Sequence, residues 1–292
     1  VLGGLMADAI TDFIQAIGVI AGLVILMLVV AMEAGGLVGS LERVEPERLA
    51  YFSIGDSGPL ELLEQWAIPI FGTMVSVELI ARILGTNSAS TARNACLVGG
   101  GLYLCVGLIP VYLGLLGPEL LPGLAEPEQL VPELAEKYLP TFLYVMFAGA
   151  VISAILSTVD SVLLSGGSII SHTLLAPMRP GMSEANRVRA ARGCVIALGL
   201  VAFAIALRST TIHELIETAS SIGSAGLIVV ALFGLFTRFG GPAAAIAAML
   251  TGGLGWFAGV LWELTSVPYV SAIGLALLVY IGVGALERRL AA

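Results

Sequence analysis

A series of long stretches without charged side chains constrains this chain more than any other feature. Each is long enough to cross about 30 Å of hydrocarbon as a helix, which takes roughly 20 residues. Of the 292 residues, 58% are hydrophobic and 12% are charged, whereas soluble domains carry about 25% charged residues. The composition excludes a soluble globular domain. It predicts an all-α membrane protein, because lipid cannot satisfy exposed backbone groups.

Eight membrane-spanning helices are predicted from these stretches. The last apolar region is long enough for two helices, and we divide it at 263–268, where polar residues cluster before Pro268. The predicted spans cover residues 13–32, 67–86, 95–117, 140–175, 193–207, 214–236, 242–262 and 268–286. The run 140–175 exceeds one crossing, so part of it is expected to tilt or to project beyond the bilayer.

The basic residues predict the orientation of the chain, because cytoplasmic connections carry an excess of Lys and Arg. With the first residue placed in the cytoplasm, nine of the 13 Lys and Arg residues fall on the inner side and four on the outer side. We therefore expect both ends in the cytoplasm of a multi-pass protein of the cell membrane. The acidic residues behind the net charge of −8 lie mainly in the outer segments 33–64 and 119–136, where they form solvated faces or gather cations weakly.

A row of polar side chains runs along one face of the span 140–175. Its members are Ser153, Ser157, Thr158, Asp160, Ser161, Ser165, Ser168 and Ser171. At about 100° per residue nearly all of them share one side of a helix, and lipid cannot hydrogen-bond to them. The row must therefore face another helix or a wet cavity, and the acid within it is a functional candidate.

Three positions in this segment suit a sodium ion. The carbonyl of Ala154 and the side chains of Ser157 and Thr158 stand at i, i+3 and i+4, so their oxygens reach one point beside the helix. A sodium ion takes about five or six hard oxygens, so the other ligands must come from another helix, water or a bound solute. A second interpretation stays open, in which these hydroxyls only bond to the preceding turn or hold helices together.

The second span carries the signals of an interrupted helix. Pro69, Gly72 and Thr73 lie in its outer half, where Pro removes a backbone donor and Gly relaxes the chain. Half-helix ends at bilayer depth hold solutes and ions in transporters, and a simple proline kink is the alternative. In the inner half, the i, i+4 spacing of Glu78 and Arg82 predicts a structural ion pair.

The helix with the polar row resembles the ion-site helix of the sodium:solute symporter family, the relatives of the sodium/proline, sodium/pantothenate and sodium/sugar symporters. Residues 149–165 carry this resemblance, with Ser157-Thr158-Val159-Asp160-Ser161 as its core. The run 3–15 is similar to the stretch that leads into the fifth core helix of the family, and 78–93 resembles the inner end of its sixth. Together these matches extend across most of residues 1–237.

The resemblance implies a fold of two inverted five-helix repeats, with a sodium site between the first and eighth core helices. The chain is then a partial five-plus-five inverted-repeat transporter fold. Core helices five to ten are followed by two peripheral helices at 242–287, and core helices one to four are missing. We expect residues 1–292 to form a single, N-terminally truncated transmembrane domain, with 67–237 as the second inverted repeat.

The resemblance also implies binding sites. Ala154, Ser157 and Thr158 match the eighth-helix half of the sodium site, and the other ligands would come from the missing N-terminal helices of the same parent chain. Asp160 either favours a second cation or pairs with a basic group on a missing helix, and both alternatives stay open. Two faces are candidates for the solute cavity, and they comprise Phe71, Gly72, Thr73 and Ser76 on the sixth core helix and Glu217, Ser220, Ser221 and Ser224 on the tenth.

These features predict sodium-coupled symport of a small organic solute by alternating access. Sodium is the coupling ion, no other cofactor is implied, no enzyme activity is expected, and the sequence has no nucleic-acid footprint. Because the chain starts at Val1 rather than Met and no basic leader precedes the first span, we expect it to be truncated, and without core helices one to four we expect it to be inactive in transport by itself. Two alternatives remain, a membrane sensor domain of a signalling protein on the same fold, and an intramembrane hydrolase that uses Ser157 or Ser165 with His172.

Overall fold

The computed structural model describes residues 4–42, 44–49, 58–179, 181–207 and 211–291. These residues form helices and turns and contain no strand. The α-helices are α1 (Gly4–Glu33), α2 (Leu37–Leu41), α3 (Pro46–Leu49), α4 (Pro59–Met74), α5 (Val77–Leu84), α6 (Ala89–Leu120), α7 (Leu130–Tyr138), α8 (Thr141–Ile169), α9 (Ala176–Met178), α10 (Glu184–Ala206), α11 (Ile212–Phe236), α12 (Pro242–Leu261) and α13 (Pro268–Ala291). A 3₁₀ turn at Pro127–Gln129 precedes α7, and a π-helical segment at Ile170–Leu175 joins α8 to α9.

Eight helical segments among the described residues are long and apolar enough to cross a membrane. They are Ile10–Glu33, Pro59–Leu84, Ala89–Leu120, Thr141–Met178, Glu184–Ala206, Ile212–Phe236, Pro242–Leu261 and Pro268–Leu290. Every predicted span coincides with one of them, so the all-α membrane class and the number of spans are confirmed. The division of the last apolar region is also confirmed, because α12 ends at Leu261 and α13 begins at Pro268.

Three helices begin eight or nine residues before their predicted spans. α1 begins at Gly4, α4 at Pro59 and α10 at Glu184, whereas the predicted spans begin at 13, 67 and 193. Hydropathy reports which side chains lipid tolerates, while the hydrogen bonds of a helix continue through polar residues at its end. The extra turns of α1 include Asp12, and those of α10 include Arg187 and Arg189.

The interruption of the second span lies between α4 and α5. α4 continues through Pro69 and Gly72 to Met74. Ser76 then caps α5, because its Oγ accepts a hydrogen bond from the backbone N–H of Leu79 at 3.4 Å. The break therefore comes later than the Pro69–Thr73 signals suggest, at the Ser76 end of the segment. The predicted ion pair between the first and second turns of α5 is confirmed, with Arg82 Nη2 at 2.9 Å from Glu78 Oε1.

Contacts between residues divide the chain into two compact units. Unit 1 comprises the described residues of Val1–Phe52 and Thr86–Ala202, and unit 2 those of Ser53–Gly85 and Phe203–Ala292. In unit 1, α1 packs against α6, α7 and α8 around an apolar core that includes Leu26 and Leu113. In unit 2, α11 packs against α4, α12 and α13. The repeat boundaries at 67–237 and 242–287 stay predictions.

Two carboxylates in unit 2 satisfy the first backbone N–H groups of α12 and α13. Glu287 accepts hydrogen bonds around the start of α12, including one from the N–H of Gly241 at 2.8 Å. Glu64 of α4 accepts hydrogen bonds from the N–H groups of Tyr269 at 2.6 Å and Val270 at 2.7 Å. A negative charge at a helix N-terminus stabilises the helix and supplies the acceptors that its first turn lacks. Glu64 thereby joins α4 to α13.

Glycines let α11 and α12 approach until their backbones touch. A Cβ atom at Gly226 would lie 2.6 Å from the carbonyl oxygen of Ala248 and 2.6 Å from Cα of Met249. A Cβ atom at Gly252 would collide with the backbone of Gly226. Small residues at helix crossings in membranes give close van der Waals packing, which replaces the hydrophobic driving force available in water.

The substitution Gly252→Ala is expected to lower the free energy of unfolding by about 1–3 kcal/mol, because the added methyl meets backbone that cannot rotate away. The matched control is Gly253→Ala, since a Cβ atom there lies 3.5 Å from the carbonyl oxygen of Ile222, an ordinary contact. Unfolding by sodium dodecyl sulfate in mixed micelles, followed by circular dichroism, measures both variants. Equal midpoints for the two variants would contradict the close crossing.

Candidate functional site

Glycines on α1 let it pack closely and antiparallel against α8. A Cβ atom at Gly18 would lie 3.3 Å from Cβ of Ala150, and one at Gly22 would collide with the ring of Phe147. From Gly18 to Gly22 the contact moves four residues forward along α1, and from Ala150 to Phe147 it moves three residues back along α8, as antiparallel helices in contact require. This register continues toward the start of α1, where the side chains become polar.

The same register brings polar side chains of α1 onto the polar row of α8. Gln15 Nε2 donates a hydrogen bond to Ser153 Oγ at 2.8 Å, and one turn further on Ser157 Oγ donates to Asp12 Oδ1. Both bonds join helices that are far apart in the sequence. Because lipid offers no alternative partners, the two bonds fix how α1 is rotated against α8.

The predicted sodium ligands on α8 lie beside this contact. Thr158 Oγ1 donates a hydrogen bond to the carbonyl oxygen of Ala154 at 3.0 Å, so these two oxygens stand next to each other. Both residues line a cavity of 270 Å³ in unit 1, together with Asp12, Gln15 and three apolar residues of α1, which are Ala16, Val19 and Ile20. The cavity therefore presents a carboxylate, an amide, a hydroxyl and the helix residue whose carbonyl the hydroxyl contacts. Hard oxygens of this kind suit sodium, magnesium or calcium better than softer transition metals.

The hydroxyls of Ser157 and Thr158 support different interpretations of the polar row. Thr158 bonds to the preceding turn of its own helix, as the helix-internal interpretation expects. Ser157 instead bonds across to Asp12 of α1. The row therefore faces a partner helix at this point, and the assignment of Ala154, Ser157 and Thr158 to sodium stays a prediction.

Sequence reasoning missed Asp12 and Gln15 as site residues. Both lie at the edge of the apolar stretch that begins at 13, where hydropathy assigns polar side chains to the membrane surface. The signal that finds them is their i, i+3 spacing, which places them on one face once α1 is known to begin at Gly4. Their partners on α8 follow only from the register between the two helices.

Two other predicted groups on this segment have no partner that would support their roles. Within the described ranges, Asp160 is exposed and forms no hydrogen bond or ion pair, so its role as a second cation ligand or as a pairing group stays a prediction. His172 is exposed, and no hydrogen bond joins it to Ser157 or Ser165 in the part of the chain that the structure describes. The geometry therefore lends no support to a serine hydrolase.

The two candidate solute faces touch each other in unit 2. A Cβ atom at Gly72 of α4 would lie 2.9 Å from Cβ of Ser220 and 3.0 Å from its carbonyl oxygen. On α11, Ser221 is only 1% exposed and donates to the carbonyl oxygen of Glu217 at 2.6 Å. The Glu217 carboxylate lies 3.4 Å from Nε2 of His213.

The other members of these faces are mostly accounted for by packing and capping. The hydroxyls of Ser224 and Tyr269 lie 2.7 Å apart and are buried. Phe71 packs against the apolar cores of unit 2, and Ser76 caps α5. Thr73 is exposed. A role for these residues in binding a solute stays a prediction.

The sequence is similar to known membrane carriers. The profile of the sodium:solute symporter family matches residues 1–252. The sodium/pantothenate symporter of Haemophilus influenzae is 26% identical over 211 residues, which cover 70% of this chain and 43% of that protein. The sodium/pantothenate symporter of Escherichia coli is 24% identical over 261 residues, which cover 86% of this chain and 54% of that protein. The sodium/proline symporter of Haemophilus influenzae is 28% identical over 275 residues, with 88% and 54% covered. The chain spans about half the length of these relatives.

A solved structure shares the fold. It is the substrate-bound, outward-open state of a Na⁺-coupled sialic acid symporter, and it matches with a TM-score of 0.73 at 15% sequence identity. The match covers 99% of this chain and 63% of that chain. The helices described above therefore have the fold of part of a sodium-coupled symporter.

A disulfide tests the register between α1 and α8. In a variant whose native cysteines are replaced by Ala, Gly18→Cys with Ala150→Cys is expected to crosslink on mild oxidation, because the two Cβ positions lie 3.3 Å apart and disulfides need about 3.5–4.5 Å. The control pair is Gly18→Cys with Ile152→Cys, since Ile152 is 58% exposed and points away. Proteolysis between the helices followed by non-reducing electrophoresis reports the crosslink. Equal crosslinking of both pairs would contradict the register.

Proposed function

Because this chain belongs to the sodium:solute symporter family, we propose that the full-length protein carries a small organic solute across the cell membrane together with sodium. Relatives are named for pantothenate and proline, and the structural neighbour for sialic acid, which makes a small organic solute the natural class. The observation that carries the proposal is the convergence of Asp12, Ala154, Ser157 and Thr158 at the contact of α1 with α8.

The proposed sodium site uses one full charge and several dipoles. Asp12 supplies a carboxylate, Ala154 a main-chain carbonyl, and Ser157 and Thr158 hydroxyl oxygens. Sodium takes about five or six oxygen ligands, so the site is completed by water or by a core helix outside this chain. In this proposal the hydroxyl of Ser157 turns its lone pairs toward the ion while its proton remains directed at Asp12.

Sodium binding drives the transport cycle in this proposal. The ion enters from the outside, where its concentration is high, and stabilises the arrangement in which α1 and α8 are in contact. The coupling is reciprocal, so bound sodium raises the affinity for the solute by the same factor as the solute raises that for sodium. Rocking of one helix bundle against the other then opens the site to the cytoplasm, where low sodium lets both leave.

The proposal includes the predicted orientation and the missing part of the fold. The first and last residues lie in the cytoplasm, in keeping with the excess of basic residues on that side. Residues 67–237 form the second inverted repeat, and core helices one to four of the parent chain supply the other side of the site. The isolated chain is therefore expected not to transport.

Removal of one hydroxyl ligand tests the sodium site. In the full-length gene product, Thr158→Ala is expected to raise the sodium concentration for half-maximal solute uptake by about tenfold, because the ion loses one oxygen ligand, and this change corresponds to about 1.4 kcal/mol. The control is Ser168→Ala, an exposed serine on the same helix outside the site. Uptake into proteoliposomes across a range of sodium concentrations measures both. An unchanged sodium dependence in Thr158→Ala would reject the site.

A further inference from the structure

Three arginines occupy the first turns of α10. The helix begins at Glu184, and Arg187, Arg189 and Arg192 follow, all of them exposed. Each guanidinium group stays charged and can take a negatively charged partner.

The described residues of the protein do not supply such a partner. Arg189 Nη1 lies 3.5 Å from the neutral amide oxygen of Asn186. Neither Arg189 nor Arg192 forms an ion pair with any carboxylate that the structure describes. The guanidinium groups keep nearly all their donors available for a ligand.

Two of the arginines and two apolar residues form a stripe along one face of α10. At about 100° per residue, Arg189, Arg192, Ile196 and Leu200 fall within an arc of about 80° on α10. Ile196 and Leu200 are each 64% exposed. Leu200 lies about 12 Å along the axis from Arg192, since each residue rises about 1.5 Å. One leaflet of hydrocarbon is about 15 Å thick, so the stripe has the length of a lipid tail within one leaflet.

α10 contacts α8 only locally and with a different face, and none of the residues of α10 is buried. A Cβ atom at Gly167 would lie 2.5 Å from Cγ2 of Val195, and one at Gly166 would lie 3.0 Å from Cδ1 of Leu198. Val195 and Leu198 point about 60° or more away from the nearest member of the stripe on a helical wheel. Packing on α8 and exposure of the stripe are therefore compatible.

We propose that this face of α10 binds an anionic phospholipid, with its phosphate at Arg189 and Arg192 and one acyl chain along Ile196 and Leu200. Arginine binds phosphate through paired hydrogen bonds, and clusters of basic residues at the end of a membrane helix attract anionic headgroups. The apolar continuation of the stripe selects a lipid over a free phosphate ion. The site is independent of the sodium site and of the transport proposal.

Native mass spectrometry tests the lipid site in the purified chain. Titration of dioleoyl phosphatidylglycerol in a neutral detergent is expected to show binding that is about 10- to 30-fold weaker in Arg189→Gln/Arg192→Gln, because each arginine near a headgroup is worth about a fivefold change in affinity. Binding of neutral dioleoyl phosphatidylcholine is expected to stay the same. Leu200→Asn, which keeps the charge, is expected to weaken binding of phosphatidylglycerol as well.

The control variant Arg187→Gln/Arg289→Gln removes the same charge from exposed positions outside the stripe, and it is expected to keep wild-type affinity. Equal weakening in the control would overturn the site in favour of a general charge effect. Displacement of the lipid by millimolar inorganic phosphate would overturn it in favour of a free-anion site. A dimer that Arg189→Gln/Arg192→Gln abolishes would show that a second copy of the chain occupies the face, which would also overturn the proposal.

Discussion

Hydrocarbon supplies no hydrogen bonds, so a polar side chain within a span needs a partner on another helix or in its own turn. This requirement selects which helices meet. In unit 1, Ser157 donates to Asp12 and joins α8 to α1. In unit 2, Glu64 accepts from the N–H of Tyr269 while the hydroxyl of Tyr269 meets Ser224, so one small network ties α4, α11 and α13 together. Glycines act alongside these bonds, because they let the backbones come close enough for the bonds to form.

The same requirement gives the contact of α1 with α8 its chemical character. The two helices direct a carboxylate, an amide and a hydroxyl into one cavity of unit 1, beside Ala154, and hard oxygens gathered in this way are what an alkali cation binds. A ligand can shift a conformational equilibrium only through a difference in its affinity for the two states. A cation held by both helices has such a difference, since its ligands separate when the helices do. The proposed coupling of sodium to solute movement rests on this dependence.

Some features of this structure could be predicted from the sequence and others could not, and the difference has a physical cause. Lipid acts on each side chain separately, so composition and the length of apolar stretches predict the eight spans. Helical spacing predicts that Ala154 and Thr158 stand next to each other, because that relation is local to α8, and a 3.0 Å hydrogen bond joins them. The partnership of Asp12 with Ser157 depends on the register between helices 145 residues apart, which no local pattern contains. The contact of Ser224 with Tyr269 could not be predicted from the sequence for the same reason.

Equilibrium binding of ²²Na⁺ to the purified full-length protein, compared among the wild type, Asp12→Asn, Ser157→Ala and the double variant, tests the cation site most directly. If both side chains hold one ion between α1 and α8, each single variant binds sodium more weakly than the wild type. The loss of affinity in the double variant is then much smaller than the product of the two single losses. Additive effects would mean that the two residues act separately. Sodium binding that remains at the wild-type level in all three variants would show that the contact of these helices is not the cation site.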